Sequence, residues 1–163
     1  MRVPDLSRST FLPHMRTLLL LSLLILPGSL AAQEAVTASC SGGTALSFPC
    51  SDVDLVGRLT TSQLNIRAFS GTPRGNDIWG WTDPETGVEY ARVGTTEGTV
   101  FVSLADPVSP RVVGTLASAT GTSTWRDLKT HGNYVYIVSE ADGHGMQVFD
   151  LRQLRDVTGG PVE

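Results

Sequence analysis

The chain has 163 residues, which is enough for one domain with its own hydrophobic core, and its hydrophobic content is ordinary for a globular protein. Beyond residue 31 it carries 9 basic and 15 acidic residues, and Lys129 is the only lysine. An acidic chain without a basic stripe argues against nucleic-acid binding and against docking on an anionic membrane surface.

The first 32 residues have the three parts of a secretory signal peptide. Arg16 precedes an apolar run at 17–26, Pro27 and Gly28 end the run, and small residues at 29–32 provide a cleavage site. The run is shorter than the roughly 20 apolar residues that span a bilayer, although an uncleaved anchor is the alternative. The sequence therefore predicts export to the cell surface or the extracellular space, with no membrane span in the mature chain.

Both cysteines lie beyond this signal, at Cys40 and Cys50. An oxidising compartment favours a disulfide, and closing so short a loop stabilises the fold by about 2–3 kcal/mol. Two thiols alone do not make a tetrahedral zinc site, and no histidine lies nearby in the sequence. The sequence therefore predicts a Cys40–Cys50 disulfide.

Residues 33–75 are predicted to be an N-terminal lead-in that packs against the rest of the chain. Ser51, followed by an acidic residue three positions later, resembles a helix N-cap. The apolar residues that follow can share one helical face, so a short helix is expected over about 52–59. Residues 70–75 are rich in Gly, Pro, Ser and Thr and predict a loop.

The remainder, 76–163, contains two copies of one hairpin pattern. Each copy is an apolar strand, a glycine-containing turn and a second apolar strand. The alignment pairs Val93 with Val138 and Gly98 with Gly145, at spacings of 45 and 47 residues. Repeats of roughly 40–50 residues made of such hairpins are typical of propeller blades or β-solenoid coils.

Further strands complete each unit. The first unit has predicted strands at 76–81, 90–94, 99–104 and 111–116. The second has them at 124–129, 134–139 and 146–151, and 153–157 is either a fourth strand or a helical turn. We therefore predict an all-β fold of β-propeller type, with about two four-stranded blades of an incomplete propeller.

The segment TVFVSLADPVSPRVVG at 99–114 resembles the LVIVD repeat, whose core is a short apolar strand followed by Asp and then a Pro-x-x-Pro turn. Ser103 stands where that repeat usually has Asp, whereas Asp150 in the second copy keeps it. The resemblance implies a propeller built from such repeats.

Three longer strings resemble the choice-of-anchor B family: NDIWGWTDPETG at 76–87, WRDLK at 125–129 and VSEADGHGMQVFDL at 138–151. The resemblance covers about residues 40–160. It implies an exported β-propeller that is held at the cell surface or released, and it carries over no activity to individual residues. Because family members have more repeats, and because two units alone leave sheet edges and apolar faces uncovered, the sequence is expected to be a truncated product or a fragment.

Two acidic groups are candidates for a divalent metal. Asp77, Asp83 and Glu85 flank a turn and could bind Ca²⁺ through oxygen, although the spacing is not that of an EF-hand and the segment also makes a good turn. The turn of the second hairpin holds a second candidate set, whose members are Glu140, Asp142 and His144. A histidine beside two carboxylates suits a metal or acid–base site, and the alternative is an exposed glycine-rich loop.

Aromatic and charged residues near the strands are the candidates for ligand binding. Trp79, Trp81 and Trp125 could form a platform on which sugars stack, but strand alternation places at least some of them in the core. Arg126 and Asp127 could face a propeller channel, or they could form a structural pair that links blades.

No catalytic fingerprint of a hydrolase, metalloprotease, P-loop or dinucleotide enzyme is present in the sequence. We therefore expect no enzymatic activity and no cofactor, and we expect a binding module whose partner is a protein or a glycan. The alternatives are a metal-dependent extracellular enzyme, with its site at the mouth of the propeller, and a module that only spaces other domains.

Overall fold

A computed structural model describes residues 36–64, 66, 73–158 and 161–162. The predicted signal peptide lies outside the described residues. The strands of the described part are β1 (Thr44–Ala45), β2 (Phe48–Pro49), β3 (Gly75–Thr82), β4 (Glu89–Thr95), β5 (Gly98–Ser103), β6 (Arg111–Ala117), β7 (Arg126–His131), β8 (Tyr134–Ser139) and β9 (Met146–Asp150). For the described residues, the prediction of an all-β fold is confirmed.

The strands form three antiparallel sheets. The first sheet has the order β3-β4-β5-β6, the second sheet has the order β7-β8-β9, and β1 and β2 form a small hairpin in the lead-in. Both larger sheets are simple up-and-down arrangements in which every strand pairs with its neighbour in sequence. The described strands form open sheets, with no closed ring among them.

The main core lies between the first and second sheets. Because side chains alternate across a strand, each sheet directs one set of apolar residues toward the other. Phe101 of β5 and Phe149 of β9 stack across this boundary with ring centroids 4.5 Å apart. The residues buried in this cluster are Trp81, Tyr90, Phe101, Val113, Leu128, Val135, Ile137, Phe149, Leu151 and Leu154.

The opposite face of the first sheet is covered by the lead-in. Val100 and Val102 of β5 are almost completely buried there, and they pack against Leu59, Leu64 and Ile66. A single turn of 3₁₀ helix at Thr61–Leu64 carries one of these residues. The first sheet is therefore packed on both faces.

The helix predicted over 52–59 is wrong. Leu55 instead forms an isolated antiparallel bridge with Ala38, with both N–H···O distances at 2.9 Å. The Asp54 carboxylate accepts a hydrogen bond from the Cys40 N–H at 2.8 Å, and Asp52 has a left-handed backbone with φ 56°. The bridge joins two segments that lie far apart in the sequence, so it is a long-range contact that the local helix signal does not include.

The predicted Cys40–Cys50 disulfide is confirmed, and it joins residues whose Cα atoms are 5.9 Å apart. The bond encloses the β1–β2 hairpin, so it braces the start of the lead-in.

Strand registers correct the repeat alignment by one residue. Val93 pairs with Val100 in the first hairpin, and Ile137 pairs with Gln147 in the second. Gly98, the first residue of β5, is matched with Gly145, the residue before β9, so Gln147 occupies the position of Val100. Val93 therefore corresponds to Ile137 rather than to Val138. A shift of one residue matters because it exchanges the two faces of a strand.

With this register, the second sheet has an open face. It corresponds to the face of the first sheet that packs against the second sheet. The open face consists of Tyr134, Tyr136, Val138, Met146 and Val148, of which all but the partly buried Tyr136 are exposed. Nothing in the described part of the chain covers this surface.

The second unit has no fourth strand in the described residues. The chain forms a 3₁₀ turn at Leu151–Leu154, which settles the choice left open at 153–157 against a strand there. Val162 then makes a parallel bridge to Gly114, so the end of the chain returns to the outer edge of the first sheet. No helix among the described residues is long and apolar enough to cross a membrane.

Candidate functional site

The edge strands β3 and β7, the first strand of each large sheet, are joined by side chains that bind backbone N–H groups. The Asp77 carboxylate accepts the Leu128 N–H at 2.8 Å, and the Asn76 side-chain oxygen accepts the Arg126 N–H at 2.9 Å. Lys129 also lies 3.7 Å from the Asp77 carboxylate. Asp77 is therefore occupied at the junction between the sheets and lies apart from the other two carboxylates of the calcium hypothesis.

Those two, Asp83 and Glu85, bind the Arg155 guanidinium. Asp83 is fully buried, and Arg155 donates to it at 2.7 and 2.6 Å, while another guanidinium nitrogen contacts Glu85. Asp83 also closes its own turn by accepting the Glu85 N–H and the Thr86 hydroxyl. The hydrogen bonds from Arg155, together with those of the turn, lower the pKa of Asp83 to about 2 despite its burial. The group forms a staple between the first sheet and the segment that follows the second.

His144 is also committed to structure. It is 6 % exposed, its Nδ1 lies 3.1 Å from the Gly145 carbonyl oxygen, and its Nε2 lies 3.1 Å from Nη1 of Arg126. The same Nε2 lies 3.0 Å from Oε1 of Gln147, so both ring nitrogens are within hydrogen-bond distance of protein groups. Glu140 and Asp142 are exposed, and neither binds His144. No group of three potential metal ligands occurs in the described part of the chain.

Arg126 links the two sheets, but not through Asp127. Its side chain is 1 % exposed, and its Nε donates to the Thr95 carbonyl at 3.1 Å. Burial lowers the pKa of this guanidinium, and the nearby charge of Glu97 opposes that effect. Asp127 is exposed and lies on the other face of β7, as strand alternation requires.

Arg92 is a second buried cation, and the sequence analysis did not single it out. It is completely buried, and one of its terminal nitrogens donates to the Gly80 carbonyl at 2.5 Å and to the Thr130 hydroxyl. Burial lowers its pKa to about 10. Strand alternation could have indicated this burial, because Arg92 lies in β4 between Tyr90 and Gly94, on the face that packs against the second sheet.

The three tryptophans divide between core and surface. Trp81 is buried and packs on Tyr90 with ring centroids 5.3 Å apart. Trp79 is 43 % exposed and lies under Lys129, whose Nζ is 4.0 Å from the ring centroid. Trp125 is 59 % exposed, just before β7. The structure thus leaves two tryptophans accessible, Trp79 in β3 and Trp125 immediately before β7.

Each exposed tryptophan lines a shallow groove. One groove is lined by Trp125, Asp127, Val138 and Glu140, together with neighbouring atoms of β7 and β8. The other runs along β3 and β4 beside Trp79. The first combines an aromatic face with two carboxylates, and the second is mainly apolar.

Comparison with protein-family models, with curated proteins and with solved structures finds no match to this chain.

Proposed function

We propose that the chain is an exported LVIVD-repeat protein of the choice-of-anchor B type, with a β-propeller architecture, and that it acts as a non-enzymatic binding module. The stacking of successive up-and-down sheets, in which one face of the first sheet packs against the non-equivalent face of the second, supports the propeller component. The Cys40–Cys50 disulfide supports an oxidising compartment outside the cytoplasm.

The exposure of Trp79 in β3 and of Trp125 just before β7 carries the binding proposal. Tryptophan is mostly buried in folded proteins, so two accessible indole rings near neighbouring strands indicate a contact surface. An indole offers a large apolar face and a single N–H, which suits stacking against a sugar ring or packing in a protein hot spot. In the groove beside Trp125, the Asp127 and Glu140 carboxylates can accept hydrogen bonds from hydroxyl groups. The proposed partner is therefore a glycan or a protein that contacts the exposed tryptophans and the grooves beside them.

The alternative of a metal-dependent enzyme rested on a cluster of Glu140, Asp142 and His144, and the structure does not bring these side chains together. Glu140 and Asp142 are exposed in the hairpin turn, while the His144 ring nitrogens are used by Arg126 and by a backbone carbonyl. No particular observation favours the spacer alternative.

Glycan arrays and immobilised extracellular proteins, probed with the secreted protein, test the binding proposal. Replacement of a hot-spot tryptophan by alanine costs about 2 kcal/mol or more, so Trp125→Ala or Trp79→Ala should weaken binding by more than about tenfold. Tyr134→Ala is the matched control, because Tyr134 is also an exposed aromatic but lies at the far end of β8. Binding that survives in both tryptophan variants would refute the proposed surface.

Export is tested separately. Mass spectrometry of the protein recovered outside the cell should find a mature chain that starts near Ala32 or Gln33. Recovery of a chain that retains residue 1 or 15 would contradict the secretory component of the proposal.

A further inference from the structure

The groove beside Trp125 lies at one end of the β7–β8 pair, and four of its side chains share one face of the second sheet. Asp127 pairs with Val138 across the two strands. The Glu140 N–H donates to the Trp125 carbonyl at 3.3 Å, so the same pairing continues to these two residues. Because side chains alternate along a strand, Trp125 and Asp127 point to the face opposite the buried Arg126. Their partners Glu140 and Val138 lie on that same exposed face.

The two carboxylates occupy one diagonal of this four-residue patch, and the indole and Val138 occupy the other. Directly opposite side chains of an antiparallel pair have Cβ atoms about 4.5–5.5 Å apart, and diagonal neighbours are about 7–8 Å apart. A group the size of an ammonium or a guanidinium can therefore lie over the indole and between the Asp127 and Glu140 carboxylates. The root of the indole is fixed, because the Trp125 carbonyl also accepts the Ser139 hydroxyl at 3.1 Å.

The patch offers hydrogen-bond acceptors and an aromatic face, but few donors. The carboxylates of Asp127 and Glu140 only accept, and the indole N–H is the one donor of Trp125. The nearby Ser139 hydroxyl already donates to a backbone carbonyl. A sugar ring carries hydroxyl groups that both donate and accept, whereas lysine and arginine side chains only donate. The lining therefore suits a cationic side chain better than a sugar.

Among the described residues, no cationic side chain forms a salt bridge with Asp127 or Glu140. The Arg126 guanidinium is turned toward the first sheet, where its Nε donates to a backbone carbonyl. Lys129 is the only lysine beyond residue 31, and its Nζ lies 3.7 Å from the Asp77 carboxylate. Beyond residue 31 the chain carries 15 acidic and 9 basic residues, so its overall field attracts a cationic partner.

The molecule already holds one ammonium by the same combination of groups. The Nζ of Lys129 lies 4.0 Å from the centroid of the Trp79 ring and 3.7 Å from the Asp77 carboxylate. An indole face and a carboxylate thus share one cation at the junction of the two sheets. Trp125 with Asp127 offers this chemistry again, with a further carboxylate and with no cation from the described part of the chain.

We propose that the groove beside Trp125 binds a lysine or arginine side chain from a basic segment of a protein partner. The cation lies over the indole and between the Asp127 and Glu140 carboxylates. Val138, which is 44 % exposed on the same face, packs against the methylene groups of the bound side chain. This inference rests on the binding function proposed above, and it narrows the partner from a glycan or a protein to a protein with an exposed cation.

Fluorescence anisotropy of a labelled peptide of alternating glycine and arginine, titrated with the exported protein, tests the proposal. Trp125→Ala should weaken binding about tenfold or more, and Asp127→Asn and Glu140→Gln about threefold or more each. Asp142→Asn is the matched control, because it removes the same charge outside the groove, and it should change the affinity less than about twofold. All four side chains are exposed, so the variants should keep the Tm of the wild-type protein. The same peptide with neutral citrulline in place of arginine should not bind.

Three results would overturn the proposal. The arginine and citrulline peptides could bind equally well, or Asp127→Asn and Asp142→Asn could weaken binding equally, which would assign the attraction to overall charge. A glucosamine oligosaccharide could bind more tightly than the peptide and need the same carboxylates, which would make an amino sugar the ligand. A partner found on the arrays that requires Trp125 but binds Asp127→Asn and Glu140→Gln as tightly as wild type would refute the cationic ligand alone and leave the binding function in place.

Discussion

Equivalent side chains of the first and second sheets have opposite exposures. Tyr90 is 5 % exposed and its counterpart Tyr134 is 40 % exposed, while Ile78 of the first sheet is 62 % exposed and its counterpart Leu128 is completely buried. The hairpin pattern is the same in both units, so the neighbour on each face decides which residues are buried. Within the described residues, the first sheet has a neighbour on each face and the second sheet has one on a single face. The apolar pattern alone does not distinguish the two cases.

The largest effect should come from truncating Leu128 of β7 rather than its counterpart in β3, Ile78. Leu128→Ala should lower the free energy of unfolding by about 2–5 kcal/mol, because it leaves a cavity between the two sheets. Ile78→Ala at the equivalent exposed position should cost less than about 1 kcal/mol. Chemical denaturation of both variants measures the difference, and equal losses would show that the two positions are not in different environments.

Removing the disulfide should make the first sheet resemble the second. The double variant Cys40→Ser and Cys50→Ser should lose about 2–3 kcal/mol, because the loop is no longer closed in the unfolded chain. If the lead-in depends on this brace, amide exchange should increase in β5, where Val100 and Val102 meet it. Loss of stability without increased exchange in β5 would separate the disulfide from the cover of the first sheet.

Acid should weaken the staple that connects the first sheet with the segment after the second. The pKa of Asp83 is about 2 in the folded protein, compared with 3.8 for an aspartate without these contacts, as in the unfolded chain. The unfolded chain therefore takes up the proton first as the pH falls. The stabilising contribution is complete above pH 4 and disappears as the pH falls toward 2. Asp83→Asn should remove this part of the acid dependence of the unfolding free energy.

Asp142→Asn is the control for this experiment and should leave the acid dependence intact. Some acid dependence should remain in Asp83→Asn, because hydrogen bonds from Arg152 lower the pKa of Asp150 as well. If the wild-type protein and Asp83→Asn lose stability identically between pH 4 and 2, the Asp83–Arg155 staple makes no net contribution.

The smallest effect concerns the surface contact between Trp79 of β3 and Lys129 of β7. Lys129 over the ring of Trp79 is solvent-exposed, and such cation–π contacts contribute about 0.5–1 kcal/mol. A double-mutant cycle with Trp79→Leu and Lys129→Met should give a coupling free energy in this range. A coupling of zero would mean that Trp79 is held only by its own strand, which leaves it free to contact a partner.

The strands of both units could be predicted from sequence because alternation and glycine turns are local signals. The equivalence of Val93 and Ile137 could not, since matching apolar letters fit either of two alignments and only hydrogen-bonded register separates them. The prediction of a helix over 52–59 was wrong for a related reason. The bridge between Leu55 and Ala38 is a long-range contact, and helix propensity depends only on nearby residues.

The candidate sites show the same limit. Cys40 and Cys50 were predictable because only one pairing exists. The division of the tryptophans into a buried Trp81 and exposed Trp79 and Trp125 depends on which sheet faces which neighbour. Sequence proximity suggested that His144 works with Glu140, whereas the fold turns its ring toward Arg126, 18 positions away.

The way in which Asn76 and Asp77 join the sheets has a consequence for how such a molecule can grow. Their side chains bind main-chain N–H groups of the neighbouring strand, at Arg126 and Leu128. Every amino acid except proline supplies that donor, so this part of the junction imposes almost no sequence requirement on the unit it receives. A gene duplication could therefore add a unit whose side chains later diverge freely, while the hydrogen bonds that position it persist.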